Sequence, residues 1–173
     1  MCAYMRVHIR FCPEPPLPIL WSGCHADRHP AEFPGLQLSG DRQAARHVTQ
    51  FYDQLFAPVG LRATQYAILS RLKRDGPMTI NALAGALVMD RTTLGRNILP
   101  LQRDGLIEVV ASPADRRRRE LRLTAEGTEK QRQGSGRWAV AQERFDEVFG
   151  GERAVALRGL LREVVASEFA GAA

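Results

Sequence analysis

A mainly α chain carrying one small β-hairpin is what the sequence predicts, from three observations. Apolar residues recur at three- and four-residue spacing through most of the chain after residue 39, the period of a helix with one buried face. Between Asp104-Gly105 and Thr124 that period gives way to two short apolar runs around a polar turn, as in a hairpin. Breakers at Pro58 and Gly60, Asp75-Gly76-Pro77, Asp104-Gly105 and Gly150-Gly151 divide the chain into helix-sized pieces.

Composition narrows the class. A length of 173 residues points to about one domain with a real core. A 45% hydrophobic and 25% charged composition excludes disordered, collagen-like and filamentous chains. Apolar runs fall far short of the roughly 18 residues a membrane span needs, and no apolar stretch precedes the first prolines, so a cytoplasmic protein without a secretory signal is expected. The net charge is +5, and the excess lies in the middle: residues 90–122 hold eight arginines against five carboxylates, while 1–39 and 125–173 are near neutral. A basic centre suits a polyanion, since neutralising phosphate supplies most sequence-independent nucleic-acid affinity.

Residues 1–39 hold six of the ten prolines and form an arm, not a domain. All three cysteines, Cys2, Cys12 and Cys24, fall here; an odd, clustered set in a reducing compartment is expected to stay as free thiols. Cys12, Cys24, His25 and His29 lack the paired short spacings of a structural zinc site, so neither metal nor cofactor is expected.

A first helix is expected from Ser39, capped by Ser39 or Asp41, with Ala44, Ala45, Val48, Phe51, Tyr52, Leu55 and Phe56 on a stripe broader than one small core requires. A second runs from Arg62 to Arg74 with Tyr66, Leu69 and Leu72 inward. Thr79 caps a third, Ile80 to Leu87, and Asp90 caps a fourth, whose buried face is Leu94, Ile98 and Leu101. Two short helices joined by a tight turn make a helix-turn-helix. Geometry then points Thr92, Thr93, Arg96 and Asn97 of the fourth helix outward, donors and acceptors suited to base edges and phosphates.

Leu106, Ile107, Val109 and Val110 form the first strand of the hairpin and Glu120 to Leu123 the second. Arg116 to Arg119 load its tip with permanent charge in a planar fork that matches phosphate. Thr124 caps a long helix whose polar middle, Gln131 to Arg137 with Gly134 and Gly136, is expected to be thin, bent and exposed. A last helix, Glu152 to about Phe169, carries Val155, Leu157, Leu160, Leu161, Val164 and Val165, too apolar to lie against one neighbour only. These terminal helices read as oligomer-forming elements, and a symmetric dimer would set two reading helices on successive major grooves of duplex DNA.

The segments LRATQYAILSRL, LAGALVMDRTTLGRNILPLQRDGLI and SPADRRRRELRLTAEG, in this order of helices and hairpin, resemble the MarR family of bacterial transcription regulators over about residues 40–170. An Asp-Arg-Arg wing followed by a strand and Leu-Thr-x-x-Gly is that family's signature. The resemblance implies a winged helix-turn-helix lobe, 62–124, flanked by dimerisation helices, 40–58 and 125–170. It implies a homodimer that binds inverted repeats in double-stranded DNA, usually as a repressor, with a small aromatic or phenolic effector between the lobes. Asp115 and Arg116 would brace the wing, Arg117 or Arg118 would enter the minor groove, and Thr92, Thr93, Arg96 and Asn97 would serve the major groove. Some relatives sense peroxide through a cysteine near the first helix, and Cys24 is the nearest candidate. The chain departs from the pattern at Arg62, where the family commonly has a Thr or Ser cap.

An enzyme is not expected: the chain has no Gly-rich phosphate loop, no recognisable nucleophile–base arrangement and no metal-ligand cluster. A winged-helix module that binds protein instead of DNA would need an apolar outward face on the fourth helix, and that face is polar.

Overall fold

The computed structural model describes residues 34–113 and 115–167, and the main compact body begins at Leu38. Residues 1–33 of the expected arm, with all three cysteines, Cys24 included, lie outside the described residues, while 34–39 are helical rather than part of an arm. Six helices and one hairpin follow in order: α1 (Pro34–Phe56), α2 (Ala63–Asp75), α3 (Ile80–Ala86), α4 (Arg91–Arg103), β1 (Ile107–Ala111), β2 (Arg119–Leu123), α5 (Ala125–Phe149) and α6 (Gly151–Ala166). No described helix is long and apolar enough to cross a membrane.

α1 starts five residues before the expected Ser39. Pro34 is its first residue, where a missing N–H costs no helical bond and a fixed φ suits the first turn; Ser39 and Asp41 are interior residues, not caps. A 3-10 turn, Ala57–Val59, closes α1 at the expected prolyl break. α6 ends at Ala166, with Ser167 extended, short of the expected Phe169.

The core is built where α2, α3, α4 and the hairpin meet. Phe56, Ile68, Leu69, Leu83, Leu94 and Leu101 are fully buried, each contributing about 1.5–3 kcal/mol by leaving water. The inward face expected for α4 is the observed one, Leu94, Ile98 and Leu101. On α2 the buried set is Ile68, Leu69 and Leu72, with Tyr66 half-buried beside them. The strands pair antiparallel, Ile107 opposite Leu123 and Val109 opposite Leu121. Met78, on the connection from α2 to α3, adds a bridge to Leu121 through two backbone bonds of 3.1 and 2.8 Å. A single bridging residue leaves no period in the sequence from which it could be expected.

α5 is seated on this core by two glycines two turns apart. A Cβ on Gly127 would collide with the Leu106 carbonyl oxygen, and one on Gly134 would stand 2.5 Å from the Tyr66 ring. The polar middle of α5 is exposed on one side as the sequence suggests, at Arg132, Gln133, Gly136 and Arg137, but its other side is seated: Gly134 is buried, and the ring it meets is held between Phe56 and Trp138. Thr124 completes the seat. Its hydroxyl donates to Gly105 O (2.7 Å) and accepts from Gly127 N–H (2.9 Å), while its own N–H donates to Leu106 O.

Gly127→Ala must push α5 off a backbone carbonyl, so a loss of about 2 kcal/mol or more is expected. Gly136→Ala, at a position with open space around it, is expected to be neutral or stabilising through helix propensity. Urea unfolding of the two variants checks the contrast.

Candidate nucleic-acid interface

Each half of the helix-turn-helix is capped from its own sequence. Thr79 accepts from Ala82 N–H (3.2 Å) at the start of α3. Asp90 accepts from Thr93 N–H (2.8 Å) at the start of α4. The Thr93 hydroxyl and N–H together hold the Asp90 carboxyl below its ordinary value.

The turn between these helices is a Schellman motif. Met89 N–H donates to Ala84 O (2.9 Å) and Val88 N–H to Gly85 O (3.2 Å). Its left-handed residue is Val88, at φ 53°, a position where glycine is usual and a β-branched side chain is strained. The Val88 side chain is 73% exposed, so packing offsets little of that strain.

α4 delivers three of the four expected side chains outward. Thr92, Thr93 and Arg96 are exposed. Asn97 is half-buried, and its side-chain amide donates to Thr93 O (2.8 Å). One donor of Asn97 is thus committed to its own helix, and the Thr93 hydroxyl is drawn toward the Asp90 cap; Thr92 and Arg96 remain the most available. Along the same outward stripe Leu99 is exposed. It lines an open cleft of about 350 Å³ between α4 and the hairpin, with Gly95, Val109 and Arg119. The sequence predicts no role for Leu99, since an isolated leucine on a polar face carries no signal.

The wing is organised by Asp115. Its carboxylate accepts from Arg117 N–H (2.9 Å) and its carbonyl from Arg118 N–H (2.9 Å), the Asx geometry that bends a short loop back on itself. Ser112 N–H closes the turn on Arg118 O (2.9 Å). Arg116, Arg117 and Arg118 are exposed, and none of the ion pairs among the described residues includes them. Arg119, expected at the tip, is the first residue of β2 and pairs with Ala111. Arg122 is tied across the strands to Glu108 (2.9 Å), so charge at the base of the wing is neutralised while charge at the tip is free. No group of three or more potential metal ligands occurs among the described residues.

The profile of the MarR family matches residues 61–118, from the start of α2 through the wing arginines. The Mycobacterium tuberculosis transcriptional regulator MosR, solved with DNA, is 31% identical; the alignment covers 73% of this chain and 96% of that one, with a TM-score of 0.59. The chain belongs to the MarR family. It is a DNA-binding transcriptional regulator, like other members of known structure. CouR of Rhodococcus jostii, a repressor solved on a 23-mer duplex, is 25% identical over 77% of this chain and 92% of its own, with a TM-score of 0.67. BpsR of Bordetella bronchiseptica, whose DNA binding is regulated by 6-hydroxynicotinic acid, is 25% identical over 82% of this chain and 99% of its own, with a TM-score of 0.67. No curated protein matches the chain significantly in sequence.

This MarR chain differs from the usual pattern at the start of α2. Arg62, at the cap position, has no acceptor to offer. Gln65 Oε1 accepts from Arg62 N–H (2.9 Å), and Asp53 of α1 accepts from Ala63 N–H (2.7 Å). An acceptor for the first turn of α2 is thus supplied by another helix.

Val88→Gly removes the strain of a left-handed β-branched residue without losing much buried area, and the gain is expected to be about 1 kcal/mol. An unchanged or lowered urea midpoint would show the turn to be unstrained.

Proposed function

We propose that the chain acts as a homodimeric repressor that binds a roughly palindromic operator, with Thr92, Thr93, Arg96 and Asn97 at the major groove and the wing arginines Arg116, Arg117 and Arg118 against the DNA, Arg117 or Arg118 entering the minor groove. The observation that carries this reading is the pairing of a capped helix with a polar outward face and a wing whose tip arginines are exposed and outside every described ion pair. A narrow minor groove concentrates negative potential and favours such arginines.

The dimer is supported by what one chain leaves uncovered. Leu157, Leu160, Leu161, Val164 and Val165 fall on one arc of α6, and all but the half-buried Leu157 are exposed. Val148 at the end of α5 is 83% exposed. Of the expected stripe on α1 only Phe56 is buried, while Ala44 and Ala45 are exposed. Apolar area of this extent on terminal helices suits a two-fold partner. Two subunits would then hold their α4 helices about one turn of duplex apart, roughly 34 Å.

Release by a small aromatic or phenolic ligand is supported by the regulation of BpsR by 6-hydroxynicotinic acid and by the aromatic junction of α1, α2 and α5. There Trp138, 42% exposed, stacks on Tyr52 and Tyr66 at centroid distances of 5.2 and 5.9 Å. Gln142 donates to the Tyr52 hydroxyl (2.8 Å) and accepts from Arg158 of α6, itself paired with Asp146 (2.8 Å). Arg158 holds the Asp146 carboxyl below its ordinary value, and burial raises the Tyr52 phenol. Oxidation at Cys24 is the second route of release.

Replacing Arg117 and Arg118 together by Ala is expected to weaken binding to all duplexes and flatten its dependence on salt, whereas Arg96→Ala relaxes preference at particular base pairs. Gel shifts on specific and random DNA separate the two; a wing variant with wild-type affinity and salt slope contradicts the interface. For the redox route, peroxide titration should release DNA from the wild type and not from Cys24→Ser, and identical release curves remove Cys24 as the sensor.

A further inference from the structure

The start of α2 joins two parts that the proposed mechanism requires to move as one. α2 is the central helix of the DNA-binding lobe, packed against α4, α5 and β2. α1, from which Asp53 comes, is a proposed dimerisation helix. Asp53 is ten residues from its partner and on a separate helix, and its carboxylate receives the first N–H of α2 at 2.7 Å in a half-buried setting. A local Ser or Thr at position 62 would instead accept from the N–H of Thr64 or Gln65, capping the same first turn while leaving α2 free to pivot on α1.

We propose that Asp53 is a positioning residue for DNA binding: by capping α2 from α1, in place of the cap that Arg62 cannot provide, it fixes the angle between the dimerisation helices and the reading lobe. The inference rests on the proposed dimeric mode of binding. A charged acceptor aimed at the positive end of a helix is stronger than a neutral one, and it acts at the point where the chain turns from α1 through the 3-10 segment into α2. Both subunits carry the tie, so a change in its geometry alters the spacing of the two α4 helices twice over.

Restoring the cap without the tie separates positioning from stability. Asp53→Ala is expected to lower the melting midpoint and weaken binding. Asp53→Ala with Arg62→Ser places a hydroxyl acceptor at the cap position for the N–H of Thr64 or Gln65, so the first turn of α2 gains a bond on its own side and the midpoint should return toward that of the wild type. Affinity should not: on a duplex of about 30 base pairs carrying a sequence that the wild type selects from fragmented genomic DNA, binding should stay about tenfold weaker. Affinity for a random duplex of the same length should be little changed, since single-subunit phosphate contacts do not need the spacing. Asp53→Asn, which keeps an acceptor on α1, should bind within about threefold of the wild type.

A double variant that binds the selected duplex like the wild type, or an Asp53→Asn variant that binds no better than Asp53→Ala, would overturn the inference. If instead the wing variant leaves binding unchanged, the fault lies with the proposed interface and not with Asp53. Sedimentation of each variant at the assay concentration shows whether the dimer is intact.

Discussion

The close seat of α5 on the corner between α4 and β1 is the constraint on which the remaining geometry depends. Leu106 leaves the end of α4 and enters the hairpin, and its carbonyl sits under Gly127 where no side chain would fit. The same carbonyl takes the Thr124 N–H, and the Thr124 hydroxyl reaches Gly105. A single corner therefore sets the end of the reading helix, the root of the wing and the first turn of the longest helix. Backbone contacts of this kind have little give, because a carbonyl oxygen cannot rotate away as a side chain can.

From that corner the molecule divides its tasks. Electrostatics is confined to the wing tip, where Asp115 spends its acceptors on the loop backbone and leaves Arg116, Arg117 and Arg118 outside the described ion pairs. In the proposed mode of binding, discrimination falls to the first turns of α4, whose outward end is stabilised by the cap between Asp90 and Thr93. The contacts between the lobe and the terminal helices include the aromatic stack of Tyr52, Tyr66 and Trp138 and the bond from Ala63 N–H to the Asp53 carboxylate, and the proposed coupling runs through them. Val88 stands apart, holding strain in the turn that sets α3 against α4.

Much of this is legible in the residues because it is local. The caps Thr79, Asp90 and Thr124 and the inward trio Leu94, Ile98 and Leu101 are written within a few positions of where they act. What the residues conceal are contacts distant in sequence. Gly134 resembles a weak point in a helix because the Tyr66 ring it accommodates is far away in the chain. The gap at Arg62 resembles a lost cap because its substitute lies on α1. The start of α1 is expected too late because Ser39 and Asp41 look like caps, whereas a proline at the first helical position is an equally good beginning. Angle alone assigns Asn97 to the outward face, and its bond to Thr93 O shows that an amide at the edge of a stripe can serve its own helix first.

In the proposed mode of binding, helix and wing read two different grooves, twice, with the two α4 helices about one turn apart. Methylation of guanine N7 and adenine N3 reports the major and the minor groove separately, so methylation protection on a selected duplex tests the claim directly. Two patches of N7 protection about 10 base pairs apart are predicted, each accompanied by N3 protection where the wing lies. A single unrepeated patch, or protection confined to one groove, would contradict it.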